Sequence, residues 1–168
     1  LRAKDPEVIA RVETLIGGML TEAMARTEIE VVREFALPIQ SRALGYLLNV
    51  ADAEAETWIG WGTHVFRDGD SKGGALEAYL HGQFDRATAQ PGADFFSALT
   101  RATFRGRPLT REEMMGFANL TFAGGRDTVI HTLAIVIAYL AEHPEALEFL
   151  RQDPARIVHA GEEFFRLV

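Results

Sequence analysis

The chain contains no cysteine. That excludes a disulfide framework, a thiolate nucleophile and a thiolate metal ligand within these 168 residues. Basic residues are few: 17 Lys and Arg stand against 24 Asp and Glu, giving a net charge of −7. A nucleic-acid binder needs a basic footprint, so that class is set aside. No His-Glu-x-x-His spacing suggests zinc. No internal repeat or low-complexity tract occurs. No signal peptide is visible, because Leu1-Arg2-Ala3-Lys4 leads straight into a polar helix start. The remainder is ordinary for a soluble globular domain with a real core: 48% apolar and 24% charged. Both ends read as cut. The chain begins on Leu1 and stops at Arg166-Leu167-Val168, inside an apolar-periodic stretch with no cap. The expectation is a segment of a longer protein, a single helical unit over 1–168; a trimmed or processed chain is the alternative.

Nearly every segment has a helical period. Asp5-Pro6 reads as an N-cap with proline in the first turn, followed by Val8, Ile9, Val12, Leu15, Ile16, Met19 and Leu20 at helical spacing. Alternation and β-branching at 27–32 predict at most a short strand near 28–32. Leu37-Pro38 ends it, and a helix runs through Ile39, Leu44, Leu47, Leu48 and Val50. Further helices are predicted at 53–66 and 75–89, joined by a glycine-rich loop at 67–74. Phe95, Phe96, Leu99 and Phe104 mark a short apolar helix ended by Gly106-Arg107-Pro108. Thr110-Arg111-Glu112-Glu113 is a capping box. The helix it opens meets no stop signal until His143-Pro144, roughly 48 Å away at 1.5 Å per residue. Two shorter helices follow, at Pro144 and at Asp153-Pro154. The predicted fold is mainly all-α, a bundle around one long central helix.

That long helix contains what a helix interior avoids. Ala123-Gly124-Gly125-Arg126-Asp127-Thr128-Val129 places two glycines beside an acid–hydroxyl pair, and each glycine costs about 1 kcal/mol relative to alanine. A membrane span would put Arg126 and Asp127 near its centre, at about 2.5–3.5 kcal/mol each; no membrane is expected. A buried core helix suits 129–141, apolar almost all round, but leaves the glycines unexplained. A functional reading starts from spacing. Gly124 and Thr128 share a face, glycine lets a flat partner approach the backbone, and the Thr128 hydroxyl can turn back to the Gly124 carbonyl and bend the helix. Asp127 beside it can supply protons from solvent, or pair with His131 one turn on.

Gly124-Gly125-Arg126-Asp127-Thr128 resembles the oxygen-activation motif of the cytochrome P-450 family, the heme-thiolate monooxygenases. The motif usually ends in Thr or Ser, where this chain has Val129. Glu163-Phe164-Phe165-Arg166 is similar to the family's Glu-x-x-Arg motif; a surface ion pair at i, i+3 is the plainer reading. The resemblance implies a partial P-450 fold, with Ala123, Gly124 and Gly125 lining the heme and oxygen groove. Thr128 would hold the oxygen and a water, Asp127 would relay protons, and Glu163 and Arg166 would brace the core. The helices at 53–66 and 75–89 would be the substrate lid, with Trp58, Trp61 and Phe66 lining a channel or, as aromatic stripes more often do, forming core.

The family's proximal ligand is a cysteine thiolate, which this chain lacks, so no metal ligand is assigned in it. An axial histidine is not expected; His131, the one on the motif helix, would crowd the oxygen site. The resemblance implies a bacterial, soluble, cytoplasmic parent that inserts oxygen into a small apolar substrate. It would take electrons from NAD(P)H through a ferredoxin or flavoprotein. The isolated chain is expected to be inactive. The alternative is a non-catalytic helical bundle acting through self-association, as a homodimer or a domain swap.

Overall fold

The computed structural model describes residues 4–63 and 73–167. Its helices are α1 (Pro6–Met24), a π-helical turn (Val31–Ala36), α2 (Leu37–Leu48), α3 (Asp52–Gly60), α4 (Gly74–Ala89), α5 (Phe95–Thr100), α6 (Arg111–Gly125), α7 (Asp127–Glu142), α8 (Pro144–Arg151) and α9 (Ala155–Leu167). A two-stranded antiparallel hairpin, β1 (Thr103–Phe104) and β2 (Arg107–Pro108), lies between α5 and α6.

The strand predicted near 28–32 does not form. The Glu30 side chain caps the amides of Val32 and Arg33 instead. The chain then enters the π-helical turn, in which Phe35 and Ala36 are buried. Pro38 gives a reason for the wide turn. It has no N–H to donate, and its ring crowds the carbonyl four residues back. The strands lie instead at the hairpin. Arg105 and Gly106 both have positive φ, 51° and 80°, as a two-residue type I′ turn requires. Phe104 is therefore in β1, and α5 stops at Thr100.

The capping box forms as read. The Thr110 hydroxyl accepts from the Glu113 amide at 3.2 Å, and the Glu113 carboxylate accepts from the Thr110 amide at 2.8 Å. From there α6 and α7 make the predicted long helix, 32 residues over Arg111–Glu142. By length and composition it could cross a membrane. Its central Arg126, however, is fully buried among the protein's own helices.

The main core lies where α2, α3, α4, α5 and α6 meet. Leu44, Leu48, Trp58, Leu76, Leu80, Phe84, Phe96 and Phe122 pack there. Edge-to-face ring pairs join three of these elements: Trp58–Phe122 at 5.0 Å and Trp58–Tyr79 at 6.0 Å. A smaller cluster sets Ile130 of α7 against Ala36 and Leu37. Together the two clusters grip the long helix on either side of its midpoint.

Candidate functional site

The long helix breaks where its glycines stand. α6 ends at Gly125, Arg126 takes φ −112° and ψ −81°, and α7 begins at Asp127. A break leaves backbone carbonyls without their usual partners. Two of them are recovered by side chains. The Thr128 hydroxyl donates to the Gly124 carbonyl at 2.6 Å. The Gln40 amide, from α2, donates to the Gly125 carbonyl at 2.8 Å. The ordinary ladder resumes with Ile130 N–H donating to the Arg126 carbonyl at 3.1 Å.

The two glycines do different work. A Cβ on Gly125 would lie 3.4 Å from Leu44 Cδ1, in van der Waals contact, so this glycine faces α2. A Cβ on Gly124 would meet nothing within 4 Å among the described residues. Ala123, Gly124 and Thr128 are exposed, and the apolar side chains of Phe117 and Leu120 are exposed on the same helix, Leu120 at 70%. The open side of the break is thus smooth and apolar, with one hydroxyl. With its proton committed to Gly124, Thr128 Oγ1 presents acceptor lone pairs outward.

Asp127 is half-buried, and its Oδ1 is buried with no hydrogen-bond partner among the described residues. His131, the alternative partner, is exposed. A buried carboxylate oxygen without a donor is costly and wants one. The residues on the Gly124 side therefore fit a flat cofactor: one glycine leaves the space and the Thr128 hydroxyl lies beside it, while the unsatisfied Asp127 oxygen is enclosed within the protein.

Arg126 and Gln40 were not singled out by sequence reasoning. Arg126 is 0% exposed. It donates from Nη2 to the carbonyls of Trp58, at 2.8 Å, and Gly62. Burial pulls its pKa below the usual value, and the neighbouring Asp127 opposes that shift. Gln40 did carry a signal. Together with Leu37, Leu44 and Leu48 it lies on the buried face of α2, and a polar side chain on a core face usually has a specific hydrogen bond.

The aromatic channel is corrected. Trp58 is fully buried in the main core and Trp61, half-buried, packs against it. Phe66 lies outside the described residues. Beside Trp58, the Tyr79 hydroxyl is pushed well above its usual pKa by burial and by the nearby Glu54 carboxylate. Glu163 and Arg166 form an ion pair at 2.9 Å, exposed on both sides.

A broken central helix, an acid–hydroxyl pair at the break and two helices packed over its N-terminal half define a mainly all-α scaffold. The cytochrome P450 family model matches residues 81–165, and the chain belongs to that family. It is 31% identical over 98% of its length to the probable cytochrome P-450 127A1 of Sinorhizobium fredii, of which it covers 40%. It is 26% identical over 93% of its length to cytochrome P-450 107B1 of Saccharopolyspora erythraea, again covering 40%. Among solved structures it resembles one described as a carbohydrate active P-450, with TM-score 0.92 and 50% identity, covering 98% of this chain and 44% of that one. The chain spans about two fifths of the length of the curated relatives it matches.

Proposed function

We propose that this chain is the oxygen-activating, lid-bearing segment of a heme-thiolate monooxygenase whose substrate is a carbohydrate. The observation that carries the activity is the break itself, with Thr128 turned to Gly124 and Asp127 left with a free acceptor oxygen. The substrate class is supported by the 50% identity, over 98% of the chain, to the carbohydrate active structure. The small apolar substrate implied by the sequence resemblance is the competing reading. The exposed Phe117 and Leu120 favour it.

When bound, heme would supply dioxygen activation and the oxidising power for inserting one oxygen atom. Ala123 and Gly124 would hold it by leaving room beside the backbone. Thr128 Oγ1, already donating to Gly124, accepts from a water on its open side and fixes that water's orientation. Asp127, half-buried, exchanges a proton with solvent through its carboxyl group and passes it on through that water. Such relays need hydrogen-bond reach, directly or through one water. Electrons would come from NAD(P)H through a ferredoxin or flavoprotein. A soluble, bacterial, cytoplasmic parent, with residues 1–168 as one helical segment of its single catalytic domain, belongs to the same proposal.

The test is spectroscopic. The full-length protein, reduced and exposed to CO, gives a thiolate-type Soret band near 450 nm. The 168-residue chain mixed with heme does not, because it has no cysteine. Titrating the full-length protein with a neutral monosaccharide shifts its resting spectrum at lower concentration than an apolar terpene does; the reverse order would assign the apolar substrate. A second reading, self-association of the isolated chain, is favoured by exposed Leu120, Val158 and Phe165, each at least 70% exposed. Light scattering tests it, and a compact monomer would refute it.

A further inference from the structure

Arg126 occupies the variable position of the motif, yet it is the one charged side chain there that is wholly enclosed. The break explains where it goes. With φ −112° and ψ −81°, the backbone leaves the helical path and aims this side chain into the core, towards α3. There it meets carbonyls that α3 cannot satisfy by itself. Trp58 belongs to the last turn of α3, where carbonyls lack intrahelical donors. Gly62 follows in a left-handed turn, φ 70°, whose amide donates back to Ile59 at 3.0 Å. One nitrogen, Nη2, bonds both carbonyls. A cation is also favoured at the negative end of a helix dipole. Nε and Nη1 stay buried without partners among the described residues, so the side chain is held by this single fork.

We infer that Arg126 is a positioning residue that couples the end of α3 to the break in the long helix. Its backbone forms the break, its side chain caps α3, and the next residue is Asp127. Movement at the end of α3 and the direction of the Asp127 carboxyl are therefore set through the same residue. Under the proposed function α3 is the first lid helix, and only that consequence rests on the monooxygenase reading: lid position would govern proton delivery. The coupling itself needs no cofactor.

The test is amide hydrogen exchange on the full-length protein. Two amides report, Gly62 at the end of α3 and Ile130 just past the break, bonded to Ile59 and Arg126 carbonyls respectively. Arg126→Met keeps the length of the stem and removes the donors. It is expected to accelerate both amides at least about tenfold, more than amides in α1. Arg126→Lys, which can reach one carbonyl, is expected to fall between. Gly62→Ala strains the positive-φ turn without a steric clash, since its Cβ would meet nothing within 4 Å among the described residues. It is expected to accelerate Ile130 although the substitution lies across the fold, because coupling is reciprocal. Acceleration confined to one end, in either variant, overturns the inference, as does a lysine variant no better than methionine. If Arg126→Met does not fold, Gly62→Ala decides alone. The spectroscopic test of the preceding proposal can fail without affecting this one.

Discussion

The two halves of the long helix are treated differently by the fold. α6 buries Phe122 and Ala118 completely in the main core. α7 is the more continuously apolar half, yet it buries only Ile130. Val129 and Ile135 remain 40% and 42% exposed. Further along, α8 buries nothing, and Ile157, Val158 and Phe165 of α9 are exposed. Apolar composition thus says that a face is to be covered, not which element covers it. Here α3, α4 and α5 cover α6, whereas α7 is covered by the π-helical turn and α2 near its start and by α8 and α9 towards its end, where Tyr139 meets Phe164 edge to face. The break between the halves is held from the well-packed side, by Gln40 and Arg126.

The contrast is broken or sharpened most strongly by paired truncations. Phe122→Ala is expected to cost about 3–5 kcal/mol as a large-to-small core change. Ile135→Ala in α7, 42% exposed, is expected to cost much less, about 1 kcal/mol. Equal shifts in urea midpoint would dissolve the distinction between the halves. Next comes Gln40→Leu, which leaves the Gly125 carbonyl buried without its donor; about 1–3 kcal/mol is expected, with no change in the slope of the urea transition. Smaller again is Thr110→Ala, which removes the cap of the packed half at about 1 kcal/mol. The smallest effect is a pH dependence at the same cap. Two hydrogen bonds from Arg107, and one from the Thr110 amide, hold the Glu113 carboxyl at about 2. Its ordinary value is about 4.3. The folded value is the lower one, so the stabilisation is complete above about pH 4.3 and is lost as pH falls towards 2. Acid titration of the thermal midpoint should show Glu113→Gln to be flatter over that range, and the difference should shrink in high salt.

Much of this was legible beforehand because local chemistry decided it. The capping box, Asp5-Pro6 and His143-Pro144 fixed the ends of helices through orphan backbone groups, whatever lay around them. The motif at 123–129 announced a break because glycines and a back-bonding threonine act on their own helix. What was not legible depended on distant partners. Glu28 to Val32 has strand chemistry, but no neighbouring strand is offered among the described residues, and Pro38 widens the turn that follows. Trp58 and Trp61 have a helical stripe that suits a core more often than a channel, and Phe122 on another helix makes Trp58 core. Gly125 was grouped with Gly124, yet only Leu44 of α2 shows that the two face different ways. Arg126 stood in the sequence only as a charge inside the motif, with no partner assigned to it. Its role depends on carbonyls more than 60 residues earlier in the chain.

The central claim is that the open side of the break delivers protons through Thr128 and Asp127. The most direct measurement is the amount of product formed per NAD(P)H consumed by the full-length protein carrying Thr128→Ala. With the water no longer oriented, NAD(P)H consumption should continue while product per NAD(P)H falls at least about tenfold and hydrogen peroxide rises in its place. General acid catalysis of this kind is worth about 10²–10⁴-fold. An unchanged ratio of product to NAD(P)H, with the variant folded and binding substrate as before, would contradict the account.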